Sequence, residues 1–117
     1  MGVRVKRVYE PPAAADGFRV LVDRLWPRGL RKERAQLSLW LREAAPSDEL
    51  RRWFHANPER WDEFRDRYRQ ELMAAPERLA PLQEQLNAGE TVTLLYASRE
   101  QVRNNATVLA ELLAERH

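Results

Sequence analysis

The stretch "FRVLVDRLWPRG", residues 18–29, decides how the chain folds. Its near-continuous apolar centre suits a strand covered on both faces, as in a parallel sheet. Pro27 and Gly29 stop the strand, which is expected over 18–26. The stop is unusually polar, because Asp23, Arg24 and Arg28 crowd around Trp26. In open α/β sheets, ligands bind beyond the carboxyl ends of the strands, so this stretch falls where a site is expected.

Upstream, "VRVKRVY" (3–9) alternates valine with basic residues, the period of a strand with one covered face. "EPPAAADG" is a proline-rich turn closing on Asp16-Gly17. Downstream, "RKERAQLSLWLREAAPS" is ambiguous. Its Ala, Glu, Arg and Leu favour helix, whereas alternating Leu37, Leu39 and Leu41 favour strand. Ser47 is expected to cap a helix whose first turn carries Asp48 and Glu49. Asn57-Pro58 reads as a cap with proline at the first helical position. Trp61, Phe64, Tyr68 and Leu72 then mark one helix face. Pro76 starts another short helix, with Leu79, Leu82 and Leu86 on one side and Asn87 and Gly89 at its end. "ETVTLLYAS" (90–98) is a second clear strand. Ser98 with Gln101 makes a capping box for a last helix whose stripe is Val102, Ala106, Leu109 and Leu113.

Strands separated by long helical crossovers imply an α/β fold with parallel pairing. The expected architecture is a small Rossmann-like three-layer domain, its short, mainly parallel sheet flanked by helices and residues 1–117 forming one domain. With 44% apolar and 32% charged residues the composition is that of a soluble globular chain. No apolar run reaches the ~20 residues of a membrane helix, and "MGVRVKRVYE" lacks the apolar stretch of a signal peptide. The chain has no cysteine, hence no disulfide, thiol nucleophile or cysteine metal site. The cytoplasm is the expected location. Residues 1–34 hold nine basic and four acidic side chains, a net +5 within a chain of net +2. Such a basic third suits phosphates or nucleic acid, while eighteen arginines against two lysines also read as biased codon usage.

Several residues at the strand ends are candidates for chemistry. Asp23 is either a ligand-orienting group or general base, or half of a buried ion pair that fixes the loop. Arg24 and Arg28 present forked donors that match carboxylate or phosphate; with free amides at the Ser98 helix start they would form an anion pocket. Each arginine reads equally well as the partner of a local acid. Trp26 is a stacking platform or a packing residue. Asn105, on the core-facing flank of the last helix, points toward the strand ends, while Asn104 points elsewhere. Tyr96 and Ser98 sit at the mouth of the last strand. His55, in "WFHANP", stands at an expected helix end, and a catalytic role would require a nucleophile or metal partner that the sequence does not supply. His117 is terminal and expected to be disordered. Two histidines and no cysteine give no metal site, and no phosphate loop, Gly-x-Gly-x-x-Gly or hydrolase elbow is present. No cofactor is indicated.

The blocks "VYEPP", "DGFRVLVDRLWPRG", "LSLWLREAAPS", "LRRWFHANPERWDEFRDRYRQEL", "TLLYASRE" and "NNATVLAELL" resemble the bacterial family of domain of unknown function 488, in its YeaO-like branch. The resemblance covers nearly the whole chain. It implies a small Rossmann-like domain of parallel strands, which tips "LSLWL" toward a strand or short extended element. The positions matching the pattern are Asp23, Arg24, Trp26, Pro27, Arg28, Gly29, Pro46, Ser47, His55, Tyr96 and Asn105. The broader family often has a cysteine near the end of the last strand and a Cys-His-Arg run opening the final helix. Here those regions read "LLYASRE" and "VRNNATV", so no thiol-dependent role is implied.

The leading functional expectation is a domain that binds a small anionic, phosphate- or nucleotide-like ligand. Arg24, Trp26, Arg28, Ser47, Tyr96, Ser98 and Asn105 would line the site, and Asp23 or His55 would move protons if catalysis follows. The alternatives are nucleic-acid binding through the basic first third, and a protein-interaction module presenting Trp40 or Trp53. The sequence does not set an oligomeric state.

Overall fold

The computed structural model describes residues 2–116. His117, and with it the expectation of a disordered terminus, lies outside the described residues. Four strands form one sheet: β1 (Val3–Arg7), β2 (Phe18–Leu21), β3 (Leu39–Trp40) and β4 (Val92–Tyr96). Their spatial order is β1-β4-β2-β3, and all three pairings are parallel. The central strand β4 is buried at all five residues, as a parallel strand covered on both faces must be. Its register sets Val92 beside Val3 on one side and beside Phe18 on the other.

Alternate residues of the central strands go to opposite faces. Val20, Val22, Val92, Leu94 and Tyr96 enter the larger core, together with Phe64, Tyr68 and Leu72 of α3 (Trp61–Ala74) and Leu109 and Leu113 of α5 (Asn105–Arg116). Leu21 and Leu95 enter a smaller cluster with Val8, covered by Trp26, Leu30, Leu37 and Trp40. That second cover is a loop carrying only the single-turn helix α1 (Lys32–Ala35), so the ambiguous "RKERAQLSLWL" is one turn of helix and then a two-residue strand. The crossover from β3 to β4 contains α2 (Asp48–Ala56), α3 and α4 (Ala80–Asn87), the last entered through a 3-10 turn at Pro76–Leu79.

Several expected boundaries move for identifiable reasons. β2 ends at Leu21 rather than at 26, because Asp23 turns away to bond with the neighbouring loop. Asn57 does not open a helix. Its amide bonds to Phe54 O (3.1 Å) and its side chain to Trp53 O (2.9 Å), which closes α2, and α3 starts only at Trp61. Ser98 does not cap the last helix either. Asn104 does so, its Oδ1 accepting from the Thr107 amide at 3.0 Å. Val102 therefore precedes the helix and is 68% exposed instead of lying in its apolar stripe.

On the second face, the sheet is pinned by a charged group that the apolar pattern concealed. Arg19, only 4% exposed, points from β2 to Asp16, which is 1% exposed. Its Nη1 lies 2.5 Å from Asp16 Oδ2, while Nη2 donates to Ala35 O at 2.8 Å. Lys6 of β1 donates to both Asp16 oxygens (3.0 and 3.1 Å), and the Ala13 amide donates to Oδ2. Thr93 of β4 donates to the Asp16 carbonyl at 2.7 Å. Burial pushes the Asp16 carboxyl up, but the Ala13 amide, Lys6 and Arg19 together hold it below its ordinary value. Next to it, Gly17 has φ +63°, and a Cβ there would meet Thr91 O at 2.5 Å.

Two stability predictions follow from this corner. Asp16→Asn leaves Arg19 buried without its anion and should cost about 3–5 kcal/mol in urea unfolding. Because the folded carboxyl is depressed, its contribution is present above the unfolded value of 3.8 and is lost as pH falls through the folded value. The acid limb of the native protein's stability curve should therefore flatten in the variant. Gly17→Ala combines a left-handed φ with a backbone clash and should destabilise by more than about 1 kcal/mol in the same assay.

Candidate functional site

At the carboxyl ends of the strands lies a cleft of about 760 Å³. Three distant segments line it. The loop after β2 contributes residues 23–28, α2 contributes Arg51, Phe54 and His55, and the loop after β4 contributes residues from Ala97 to Asn105. Pro46, Pro58 and Phe64 complete the wall beside α2, and Tyr9 stands at the end of β1.

Asp23 is the junction of these segments. Its Oδ2 accepts from the Ala97 amide at 2.9 Å, and its Oδ1 accepts from Asn105 Nδ2 at 3.1 Å. Asn105 also donates to Val22 O at 2.8 Å, and Trp40 Nε1 donates to Asp23 O at 2.8 Å. One residue thus ties the ends of β2 and β4 to the first turn of α5. No cation among the described residues pairs with Asp23, so the ion-pair alternative is not the one formed. Desolvation pushes its carboxyl above the ordinary value of 3.8, against the opposing pull of the Asn105 and Ala97 hydrogen bonds.

The arginines are placed independently of Asp23. Arg24 Nε donates to Pro46 O at 3.1 Å. That carbonyl belongs to a turn fixed from α3, where the buried Tyr68 hydroxyl donates to Ala44 O and Glu71 accepts from both the Ser47 amide (2.8 Å) and the Ser47 hydroxyl (2.6 Å). Burial drives the Tyr68 hydroxyl far above its usual range, so it stays a donor. Arg28 is exposed, and its guanidinium has no partner among the described residues; only its carbonyl is used, by the Tyr9 hydroxyl at 2.6 Å. Arg51 pairs with Asp48 at 2.7 Å, and its Nε is buried without a hydrogen bond.

The cleft gathers Asp23, Arg24, Trp26, Arg28, His55, Ser98 and Asn105 from the expected set. Trp26 is also a packing residue, with its indole N–H on Leu30 O at 2.8 Å and its ring edge-on to Trp40 at 5.3 Å. Ser47 and Tyr96 stay outside. Ser47 caps α2 by accepting from the Leu50 amide and binds Glu71, and the Tyr96 ring is buried in the larger core. The anticipated free amides are engaged as well. Glu100 Oε2 accepts from Val102 and Arg103, so the chain supplies its own carboxylate there, and Ser98 Oγ accepts from the Glu100 amide. Sequence reasoning missed Asn104, which is buried and lines the cleft, and Arg51, Arg103, Phe54 and Glu100. Asn104 carried a detectable signal, since it stands three residues before Thr107 as a cap should.

The match to known proteins decides the family. The model of DUF488-N3i, described as the inactive DUF488-N3 subclade, matches residues 2–117. The chain belongs to this family. Within the DUF488 relatives, the uncharacterised protein Rv3073c of Mycobacterium tuberculosis is 49% identical over 111 residues, 95% of this chain and 92% of its own. The uncharacterised protein YeaO of Escherichia coli is 40% identical over 116 residues, 97% of each chain. No solved structure matches the chain.

Asn105→Ala should show whether Asp23 is the junction described. It removes the partner of Val22 O and should cost about 1–3 kcal/mol in thermal or urea unfolding. It should also raise the Asp23 carboxyl further, read as a carbon-detected NMR titration, because the lost hydrogen bond favours the charged form. In the native protein that titration should fall above 3.8. A raised folded value means that Asp23 favours folding most below the unfolded value, and that this contribution declines as pH rises through the folded one.

Proposed function

We propose that the cleft binds a small anionic organic molecule, phosphate- or nucleotide-like, and holds it without converting it. One observation carries this reading: Arg24, Arg28, Arg51 and Arg103 line a single cleft against only two carboxylates, Asp23 and Glu100. The guanidinium groups of Arg28 and Arg103 form no hydrogen bond or ion pair with any described residue. Forked donors of this kind match phosphate and carboxylate oxygens. The cleft volume falls within the ~300–1,000 Å³ typical of small-molecule sites. In this reading Arg28 and Arg103 hold the negative charge, and Arg24 adds its remaining donors from a fixed position. Phe54 and Trp26 wall the body of the ligand.

Binding without turnover is favoured by the same residues. The cleft has no cysteine, and Ser98 is an exposed hydroxyl that accepts from an amide instead of facing a base. His55 has no hydrogen-bond partner among the described residues to orient its ring. The description of the family as inactive fits this assignment.

The basic first third supports nucleic-acid binding less than its charge suggests. Lys6 and Arg19 face Asp16, Arg4 donates to Ala15 O, and Arg7 donates to Ala97 O and Ser98 O. The interaction-module reading loses its motive too. Trp40 is half-buried and bonded to Asp23 O, and Trp53 is half-buried with the Arg60 and Arg67 guanidinium groups over its ring.

Isothermal titration against nucleotides and phosphosugars, with an oligonucleotide as control, tests the reading. At least one phosphate-bearing compound should bind, and Arg28→Ala should weaken it about tenfold or more, the loss of one charged hydrogen bond. Absence of binding to the native protein, or affinity unchanged by Arg28→Ala, would refute the proposal.

A further inference from the structure

The arginines account for one half of the cleft's charge pattern and leave Asp23 unexplained. A half-buried carboxylate ordinarily comes with a cation, and Asp16 in this same chain has two. Asp23 has none within 4.0 Å among the described residues. Each of its oxygens receives one N–H donor, from Ala97 and from Asn105. A carboxylate has about four acceptor positions, so two remain open. Two N–H donors, one at each oxygen, also favour the charged form, since a protonated oxygen is the weaker acceptor. The charged and titratable groups that share the cleft with Asp23 include Arg24, bonded to Pro46 O, and the side chains of Arg28, Arg51, His55 and Arg103; the acid there is Glu100, held by two amides.

Resting on the anion-binding reading above, we propose that the ligand also carries an ammonium or N–H donor. Its negative group is held by Arg28 and Arg103, and its donor by the open acceptor positions of Asp23. The ligand class is therefore an amine-bearing organic anion, not a simple phosphate or carboxylate. The cation that Asp23 lacks in the free protein is supplied by the bound molecule, which pairs a charge already removed from water. Leu25, Phe54, Pro58 and Phe64 beside the charged groups leave room for an apolar body between the two ends of the molecule.

Matched pairs of compounds test this directly by NMR titration of the isotope-labelled full chain. The first pair is 2-aminoethyl phosphate against ethyl phosphate, and the second is 4-(2-aminoethyl)phenyl phosphate against 4-ethylphenyl phosphate. In at least one pair the amine should bind about ten- to a hundredfold more tightly than its partner, the range for a charged hydrogen bond. The Ala97 amide and the Asn105 side-chain signals should shift with the amine and not with its partner. Asp23→Asn should abolish the preference, while Arg28→Ala should weaken both members of the pair alike. Equal affinities in both pairs overturn the donor assignment and leave the anion reading standing. If no phosphate compound binds, the anion reading fails and this inference fails with it. A preference that survives in Asp23→Asn overturns the role of Asp23. Should that variant not fold, the native-protein comparison and the Ala97 and Asn105 shifts still decide between these outcomes.

Discussion

The Asp23 carboxylate is the constraint on which the functional end of the molecule depends. It lies just beyond β2, yet its two hydrogen bonds go to the loop after β4 and to the first residue of α5. Parallel strands cannot be joined by tight hairpins, so their carboxyl ends emerge as separate loops that something must gather. Here a single side chain does so, assisted by Asn105 on the Val22 carbonyl. The cleft is the space left between the gathered loops and the α2 wall.

The chain solves the problem of a buried acid in two different ways. Asp16 is nearly inaccessible and is neutralised by Lys6 and Arg19, with the Ala13 amide at the same oxygen. Its hydrogen-bonding capacity is directed inward, so it holds β1, β2 and β4 together and can offer nothing to a ligand. Asp23 has donors but no cation among the described residues, and it lines the cleft. The same residue type is a clamp at one position and an open acceptor at the other. The cause is the location of the arginines. Arg19 turns onto Asp16 from within the strand, whereas Arg24 is drawn away from Asp23 by the Pro46 carbonyl.

What the sequence revealed follows the range of each interaction. Alternating valines located β1, a near-continuous apolar run located β2, and the spacing of Phe64, Tyr68 and Leu72 located the buried face of α3, because these patterns are local. The Ser47 cap was legible for the same reason. Its second partner, Glu71, lies 24 residues away, and no local pattern announces such a bond. The start of α5 was misread because Ser98 and Gln101 satisfy the capping-box spacing as well as Asn104 and Thr107 do. Arg19 was hidden inside an apolar strand, where only its partner three residues earlier explains a buried guanidinium. The convergence of the "DRLWPRG" and "YAS" ends was legible because parallel topology sends both strand ends to one edge. Which tips would face the cleft was not, since Ser47 and Tyr96 are withdrawn by contacts set in three dimensions.

The geometry of Asp23 also bears on the proposal that the cleft binds a ligand without converting it. A general base must hold a free lone pair against the proton it takes, and its conjugate acid must be tolerable in place. Here a transferred proton would make one oxygen a hydroxyl, a weaker acceptor for the Ala97 amide or for Asn105, the two bonds that hold the loops together. Each proton accepted would loosen the cleft that positions the substrate. Pairing with a ligand cation makes no such demand, because the carboxylate stays charged and both internal bonds keep a full-strength acceptor. The element that gathers the site is thus better used as a fixed negative charge than as a proton carrier.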